Sequence, residues 1–358
     1  MGKIYPVLLS GGAGSRLWPI SVNKNPKQFT RLVDNEYLFE NTVKRCRDKL
    51  FNYPTIICVE HHLDLVNYGL KNQNITNAKI ILEPCARNTA PAILASALCL
   101  YKEDKDAVMM VMPSDHFIQN NSAFLDAAET ALKASEKGFL TTFGIKPEYP
   151  ETGFGYIKKG KKDNDGFFII DKFVEKPNLE TAKKYLSSGD YFWNSGMFML
   201  KAQTLIDEMG KYEPEMLKSC SESLNKAKID GNAVFLNNEY FAEAKSISFD
   251  YAVMERSNKT AVVIVNNSGW NDIGSYKSLW EISQKDEDGN VKSAKTVVID
   301  SKNCFIKSTT KQLISVVGVD DLVVIACEDA IMVVPKDKSQ DVRKIVEKLK
   351  EDNEKTYL

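Results

Sequence analysis

Histidine is scarce in this 358-residue chain, with only His61, His62 and His116, and the seven cysteines are odd in number and scattered singly with no C-x-x-C pair. Those counts and spacings make no disulfide framework and argue against a zinc site. Charge of one sign is also missing. Forty-seven basic residues stand against 48 acidic ones for a net charge of −1, and the charged stretches 158–165 and 336–355 mix signs as solvated faces do. Nothing resembles a basic tract able to follow a nucleic-acid backbone. Long apolar runs are lacking too. Stretches such as 322–327 fall far short of the roughly 20 residues that span a bilayer, and the first residues do not read as a secretion signal. These absences set the expectation of a protein of the reducing cytoplasm with no nucleic-acid or membrane partner. The length favours one large domain with a smaller one.

What is present is concentrated near the amino end. A strand-like run closing on Leu9 leads into Gly11-Gly12-Ala13-Gly14-Ser15-Arg16-Leu17-Trp18-Pro19, followed by Pro26-Lys27-Gln28-Phe29. Glycines leaving a buried strand let backbone N–H groups of Leu9 to Ser15 approach a polyphosphate, while Arg16 and Lys27 supply the countercharge. The implied ligand is a nucleoside triphosphate. A Walker loop would need Gly-Lys-Ser/Thr where Arg16-Leu17 stand, and a dinucleotide fingerprint would need a small residue at Leu17. A bare glycine turn is the alternative, but the cations and prolines that follow favour a site.

From 1 to about 145, strand-like runs (4–9, 55–59, 79–82, 107–112, 140–145) alternate with helix-period segments (37–50, 63–70, 90–102, 124–135). The pattern predicts an α/β architecture, Rossmann-like, with a mixed, mostly parallel sheet flanked by helices. Ligands of such sheets bind beyond the carboxyl ends of strands, where Gly11, Glu83 and Asp115 fall. The stretch 150–275 is less regular, with strands near 156–158, 167–175 and 197–200 and helices near 180–186 and 214–227. After 290, short apolar runs (297–299, 304–306, 313–319, 322–327, 331–334) precede a charged helix over 339–353.

The glycine segment, with Ser21 and Pro26-Lys27-Gln28-Phe29, resembles the signature of the sugar-1-phosphate nucleotidyltransferases, and its Trp-Pro and Lys-Gln-Phe variants are similar to those of guanylyltransferases acting on mannose 1-phosphate. Further motifs extend the likeness over nearly the whole chain: Glu83-Pro84 with Arg87-Asn88-Thr89, Pro113-Ser114-Asp115-His116, Gly153-Phe154-Gly155-Tyr156, Glu175-Lys176-Pro177, Trp193-Asn194-Ser195-Gly196 and Trp270-Asn271-Asp272. The resemblance implies transfer of GMP from GTP to mannose 1-phosphate. It also implies Mg²⁺, a homodimer, and a carboxy-terminal β unit built as a rudimentary left-handed β-helix with a terminal helix. The expected division is a nucleotidyltransferase domain over 1–285, its nucleotide half to about 145 and its sugar half beyond, then the small domain over 286–358.

Such a transfer needs no side-chain nucleophile, because the sugar phosphate itself attacks. Positioning and charge do the catalysis. Arg16 and Lys27 are the expected phosphate and leaving-group cations, and Ser114 and Asp115 close the nucleotide set. Asp115, at a predicted strand end, suits a Mg²⁺ ligand. The resemblance adds Asp272 as the second carboxylate, each also readable as a turn or capping aspartate. His116 reads as structural. Glu83 or the Asn88 amide can discriminate guanine, though backbone groups can serve instead, and Arg87 can close an ion pair or meet a phosphate. For the hexose, Gly155, Tyr156, Glu175, Asn194, Ser195 and Gly196 offer backbone approach and hydrogen bonds, Lys176 meets the sugar phosphate, and Asp250 is a further candidate. A transferase of another base or sugar and a non-catalytic sugar-nucleotide binder are the rival readings. A fused isomerase is not expected, since no histidine follows His116.

Overall fold

The computed structural model describes residues 4–12, 14–33, 36–293 and 295–358. The chain falls into two compact units: Met1–Gly11 with Thr42–Ser114 and Ile118–Trp270, and Gly12–Asn41 with Asp115–Phe117 and Asn271–Leu358.

The first unit is built on an eleven-stranded sheet. Its strands are β1 (Ile4–Leu9), β2 (Thr55–Val59), β3 (Lys79–Glu83), β4 (Val108–Pro113), β5 (Leu140–Ile145), β6 (Tyr156–Lys162), β7 (Phe168–Val174), β8 (Tyr191–Lys201), β9 (Lys228–Asp230), β10 (Ala233–Phe235) and β11 (Thr260–Val265). They run in the order β5-β11-β7-β6-β8-β4-β1-β2-β3-β10-β9. β10, β3, β2, β1 and β4 are parallel neighbours, so Leu9, Glu83 and Pro113 end on one rim. The pairings of β6, β7 and β8 are antiparallel. The fold is therefore mixed; within its parallel half β1 to β4 come from the regular alternation of the first 145 residues, while β10 joins from the irregular stretch. Both faces of that half are covered, so its strands are nearly continuous Val, Ile, Leu and Met, as buried parallel strands must be. The helix Thr89–Glu103 buries ten residues, and Asn88 caps it by accepting from Thr89 N–H.

The irregular middle of the chain holds more strand than its pattern predicts. β8 runs the full length Tyr191–Lys201 and carries Asn194 and Ser195 as interior residues. β9, β10 and β11 lie outside the expected runs.

The second unit contains β12 (Val291–Lys292), β13 (Thr296–Ile299), β14 (Phe305–Ser308), β15 (Ile314–Val317), β16 (Leu322–Ala326) and β17 (Ile331–Pro335), then the helix Val342–Glu351. β12, β14 and β16 stack in parallel, as do β13 and β15, while β17 turns back antiparallel on β16. Such parallel stacking of short strands is β-helix-like, as the resemblance implies. Its core joins Phe305, Val323, Ile325 and Met332 to Leu17, Trp18 and Ile20 of the amino-terminal segment, with Ile273, Tyr276 and Leu279.

Tyr276 fastens that segment. Fully buried, it donates its hydroxyl proton to the Leu17 carbonyl at 2.7 Å, with the Trp18 carbonyl at 3.1 Å. Tyr276→Phe strips the donor from two buried acceptors and should cost about 1–3 kcal/mol. A urea midpoint unchanged from wild type would show that the hydroxyl does not anchor these residues.

Candidate active site

Four stretches of the second unit converge. Gly12 and Gly14 adopt φ of +86° and +63°, where a side chain is strained. At Gly14 a Cβ would lie 2.5 Å from Lys27 Cβ and 2.9 Å from Ser21 Oγ. Glycine there is what lets the one-turn helix Lys27–Phe29 pack beneath the loop. Ala13 lies outside the described residues. Ser15 and Arg16 form a second turn with Leu17, and the exposed Arg16 guanidinium donates to Gln340 Oε1 at 3.2 Å. Lys27 points inward instead. It is 6 % exposed, and its ammonium donates to Asp115 Oδ2 at 2.8 Å and to the Asp272 carbonyl at 2.5 Å.

A two-residue bridge brings the aspartates together. Phe117 and Asn271 exchange backbone hydrogen bonds of 2.9 and 3.0 Å as an antiparallel pair, which sets the 115–117 segment alongside 271–273. Asn271 Oδ1 accepts from Ile273 N–H and Asp272 Oδ1 from Gly274 N–H, an Asx turn that folds the Asp272 carboxylate back over Gly274. A Cβ on Gly274 would meet Asp272 Oδ2 at 2.6 Å. Burial opposes the charge on Asp115, yet the Lys27 ammonium, His116, the Lys27 hydrogen bond and its own N–H hold its carboxyl below the usual range. His116 Nε2 is 4.0 Å from Asp115 Oδ1, beyond hydrogen-bonding reach. Asp115 and Asp272 offer carboxylate oxygens of the kind a magnesium-like ion takes, and among the described residues no group of three or more His, Cys, Asp or Glu gathers to hold a metal by itself. The remaining positions would fall to phosphate oxygens and water, as this ion prefers.

The first unit holds the other candidates. The Leu9 carbonyl accepts from Ser114 N–H at 3.0 Å, and the Ser114 hydroxyl is buried without a partner among the described residues. Glu83, closing β3, is buried with Oε1 unpartnered among the described residues, and burial pushes its pKa up to about 8. Neighbouring Arg87 donates to the Ala242 carbonyl, so its guanidinium straps two segments of the unit rather than closing an ion pair. Asn88, at φ +66°, spends its side-chain oxygen on capping, and Thr89 Oγ1 accepts from Phe249 N–H at 2.9 Å. Asn88 is itself exposed.

Around β6 and β8 a carboxylate network forms. The Gly155 carbonyl accepts from Asn194 N–H at 2.8 Å, and a Cβ on Gly155 would lie 2.4 Å from Glu175 Oε2. Glycine is what admits the buried Glu175 carboxylate, which pairs with Lys176 at 2.8 Å. Lys176 stands at φ +48° with its side chain 57 % exposed. Burial works against its charge, but Glu175 first and then Asp250 raise its pKa. Asn194 bridges the network, accepting from Thr142 Oγ1 and donating to Asp250 Oδ1, each at 2.7 Å. Burial, then the Glu175 charge, raises Asp250 to about 7. Ser195 Oγ accepts from Met197 N–H, and Gly196 sits at φ +70°. Tyr156 is fully buried against Ala182 and Trp193, which leaves only its backbone for a ligand.

Residues the motifs do not single out complete these sets. Glu255 Oε1 accepts from Glu175 N–H, Thr142 orients Asn194, and Phe154 stacks edge-on against both Trp193 and Trp270 at 5.3 and 5.4 Å. No local signal marks the first two. The third is legible only as aromatics standing inside or beside motif segments.

Residues 5–289 match the nucleotidyl transferase family model and 294–349 the mannoseP isomerase/GMP-like beta-helix domain. The chain is 42 % identical to a mannose-1-phosphate guanylyltransferase of Klebsiella pneumoniae, over 99 % of its own length and 75 % of that protein's. It is 39 % identical to the alginate biosynthesis protein AlgA of Pseudomonas aeruginosa, over 97 % and 72 %. A solved structure titled mannose-1-phosphate geranyltransferase, from Thermus thermophilus, superposes with a TM-score of 0.85 at 29 % identity, covering 97 % of this chain and 99 % of that one.

Glu83 generates a pH prediction. Its folded pKa of about 8 lies above the ordinary 4.5, so its contribution to stability is full below pH 4.5 and is lost as pH rises through 8. The loss is on the order of 5 kcal/mol at most. Glu83→Gln keeps the shape without the ionisation and should flatten the decline in urea midpoint across that window. An undiminished slope would mean that Glu83 is not the group responsible.

Proposed function

The chain belongs to the mannose-1-phosphate guanylyltransferases within the nucleotidyl transferase family, and from that premise we propose that it transfers GMP from GTP to α-D-mannose 1-phosphate, yielding GDP-mannose and pyrophosphate. A phosphate oxygen of the sugar forms a bond to the α-phosphorus in line with the leaving group, the bond from that phosphorus to the β-phosphate bridge breaks, and the electron pair departs with pyrophosphate. No protein nucleophile takes part.

The observation that carries this reading is the Lys27, Asp115 and Asp272 cluster beneath the glycine loop. In it, backbone N–H groups of Leu9, Gly11, Gly12, Gly14 and Ser15 cradle the triphosphate, and Arg16 and Lys27 neutralise charge on the departing pyrophosphate. Asp115 and Asp272 are the residues that would hold Mg²⁺, which when bound offsets charge developing on the phosphates. Ser114, Arg87, Asn88 and Thr89 belong to the nucleotide set. The guanine is read at Glu83 and Asn88: the exposed Asn88 N–H₂ can donate to O6, and the unpartnered Glu83 oxygen can accept a guanine N–H. Glu175, Asn194, Ser195 and Asp250, with backbone from Gly155, Tyr156 and Gly196, select the hexose hydroxyls. The exposed Lys176 ammonium meets the sugar phosphate.

The chain divides near residue 285 on this reading, and the limits of the two family matches at 289 and 294 support it. The enzyme is cytoplasmic, in keeping with seven free cysteines, and without nucleic-acid or membrane partners. It works as a homodimer, for which the exposed apolar side chains Val297, Ile299, Leu313 and Val317 offer a surface.

Pyrophosphate release should require GTP, mannose 1-phosphate and Mg²⁺ together and stop when any one is omitted. Equal turnover with glucose 1-phosphate or ATP would refute the assignment of sugar or base.

A further inference from the structure

The ammonium of Lys27 is already committed. Of its three donor directions, one is taken by Asp115 Oδ2 and one by the Asp272 carbonyl. The side chain is almost wholly buried, and Gly14, lacking a Cβ, gives its stem room to lie there. A cation thus occupies the carboxylate a divalent ion needs, and its positive charge opposes an incoming dication. Arg16, on the same segment, is not so used, since its guanidinium donates to Gln340 on the outside.

We propose that Lys27 is an internal counter-ion that blocks the metal site of the free enzyme, so that metal binding awaits the triphosphate that draws Lys27 off Asp115. The inference rests on the assignment of Asp115 and Asp272 as the metal pair. The ammonium serves two carriers of negative charge in turn: Asp115 at rest, and the phosphates once nucleotide arrives. Each exchange leaves the buried ammonium paired, which matters because an unpaired charge there is costly. Metal and nucleotide therefore bind with positive coupling, each removing an obstacle to the other.

Mn²⁺ binding to the nucleotide-free protein, followed by electron paramagnetic resonance of the free ion, tests this without turnover. Wild type should bind weakly, while Lys27→Met and Lys27→Gln should each bind at least tenfold more tightly. Two substitutions are used so that a packing defect in one leaves the other to be measured, and a thermal melt identifies a folded one. Arg16→Met should change affinity less than twofold. An equal gain in Arg16→Met would reduce the effect to general charge, and wild-type affinity matching that of the Lys27 variants would show no block; either result overturns the proposal. Adding Asp115→Asn to Lys27→Gln should abolish the gained site. Survival of that site would locate the failure in the metal assignment itself rather than in the blocking role of Lys27.

Discussion

One ion pair ties distant segments of this protein together. Lys27 and Asp115 are 88 positions apart in sequence, and the Asp272 carbonyl shared by the same ammonium is 245 positions from Lys27. None of the three is placed by its own local structure alone. Gly14 must lack a side chain for Lys27 to reach inward, the Phe117 and Asn271 bridge must form for Asp115 to lie beside Asp272, and Gly274 must be bare for the Asp272 turn to close. Tyr276 and the β-helix-like core hold Leu17 and Trp18, and with them the loop that carries Arg16. The amino-terminal segment that carries Arg16 thus shares one core with the carboxy-terminal strands.

Carboxylates of the two units are prepared in opposite ways. Asp115 is kept ionised by a buried cation despite desolvation, as a metal ligand requires. Glu83 and Asp250 are pushed towards neutrality near pH 7 by burial, with Glu175 adding repulsion at Asp250. A carboxyl group near its titration point can donate or accept a hydrogen bond, which suits groups that read hydroxyls and amides rather than bind metal. Charge is thus retained at Asp115 and withheld at Glu83 and Asp250.

The amino-terminal motif is readable in sequence because its physics is local: positive φ at Gly12 and Gly14 and a cation following each turn are properties of neighbouring residues. Strands β1 to β4 of the parallel half are readable for the same reason, each being a nearly continuous apolar run, whereas the three-residue β10 is not. Asp272 as partner to Asp115 is legible only through resemblance, since their meeting depends on a bridge between distant segments. β8 is longer than its sequence suggests because Asn194 and Ser195 interrupt its apolar pattern, and what makes Asn194 acceptable inside is Thr142 and Asp250, donor and acceptor from elsewhere in the chain. Tyr156 follows a glycine-rich turn as a ligand residue does, yet packing on Ala182 and Trp193 buries it. The run Thr260–Val265 carries an ordinary strand signal that the irregular pattern around it obscures. Arg87 offers ion pairing or phosphate contact, and the fold gives it a carbonyl.

The central claim, that Asp115 and Asp272 jointly hold the metal opposite the nucleotide phosphates, is tested most directly by metal-directed cleavage. With Fe²⁺ in place of Mg²⁺ and GTP bound, ascorbate and peroxide generate radicals that cut backbone close to the ion. Two cuts are expected, one near residue 115 and one near residue 272, both lost in Asp115→Asn. Cleavage at only one of these segments, or elsewhere in the chain, would contradict it.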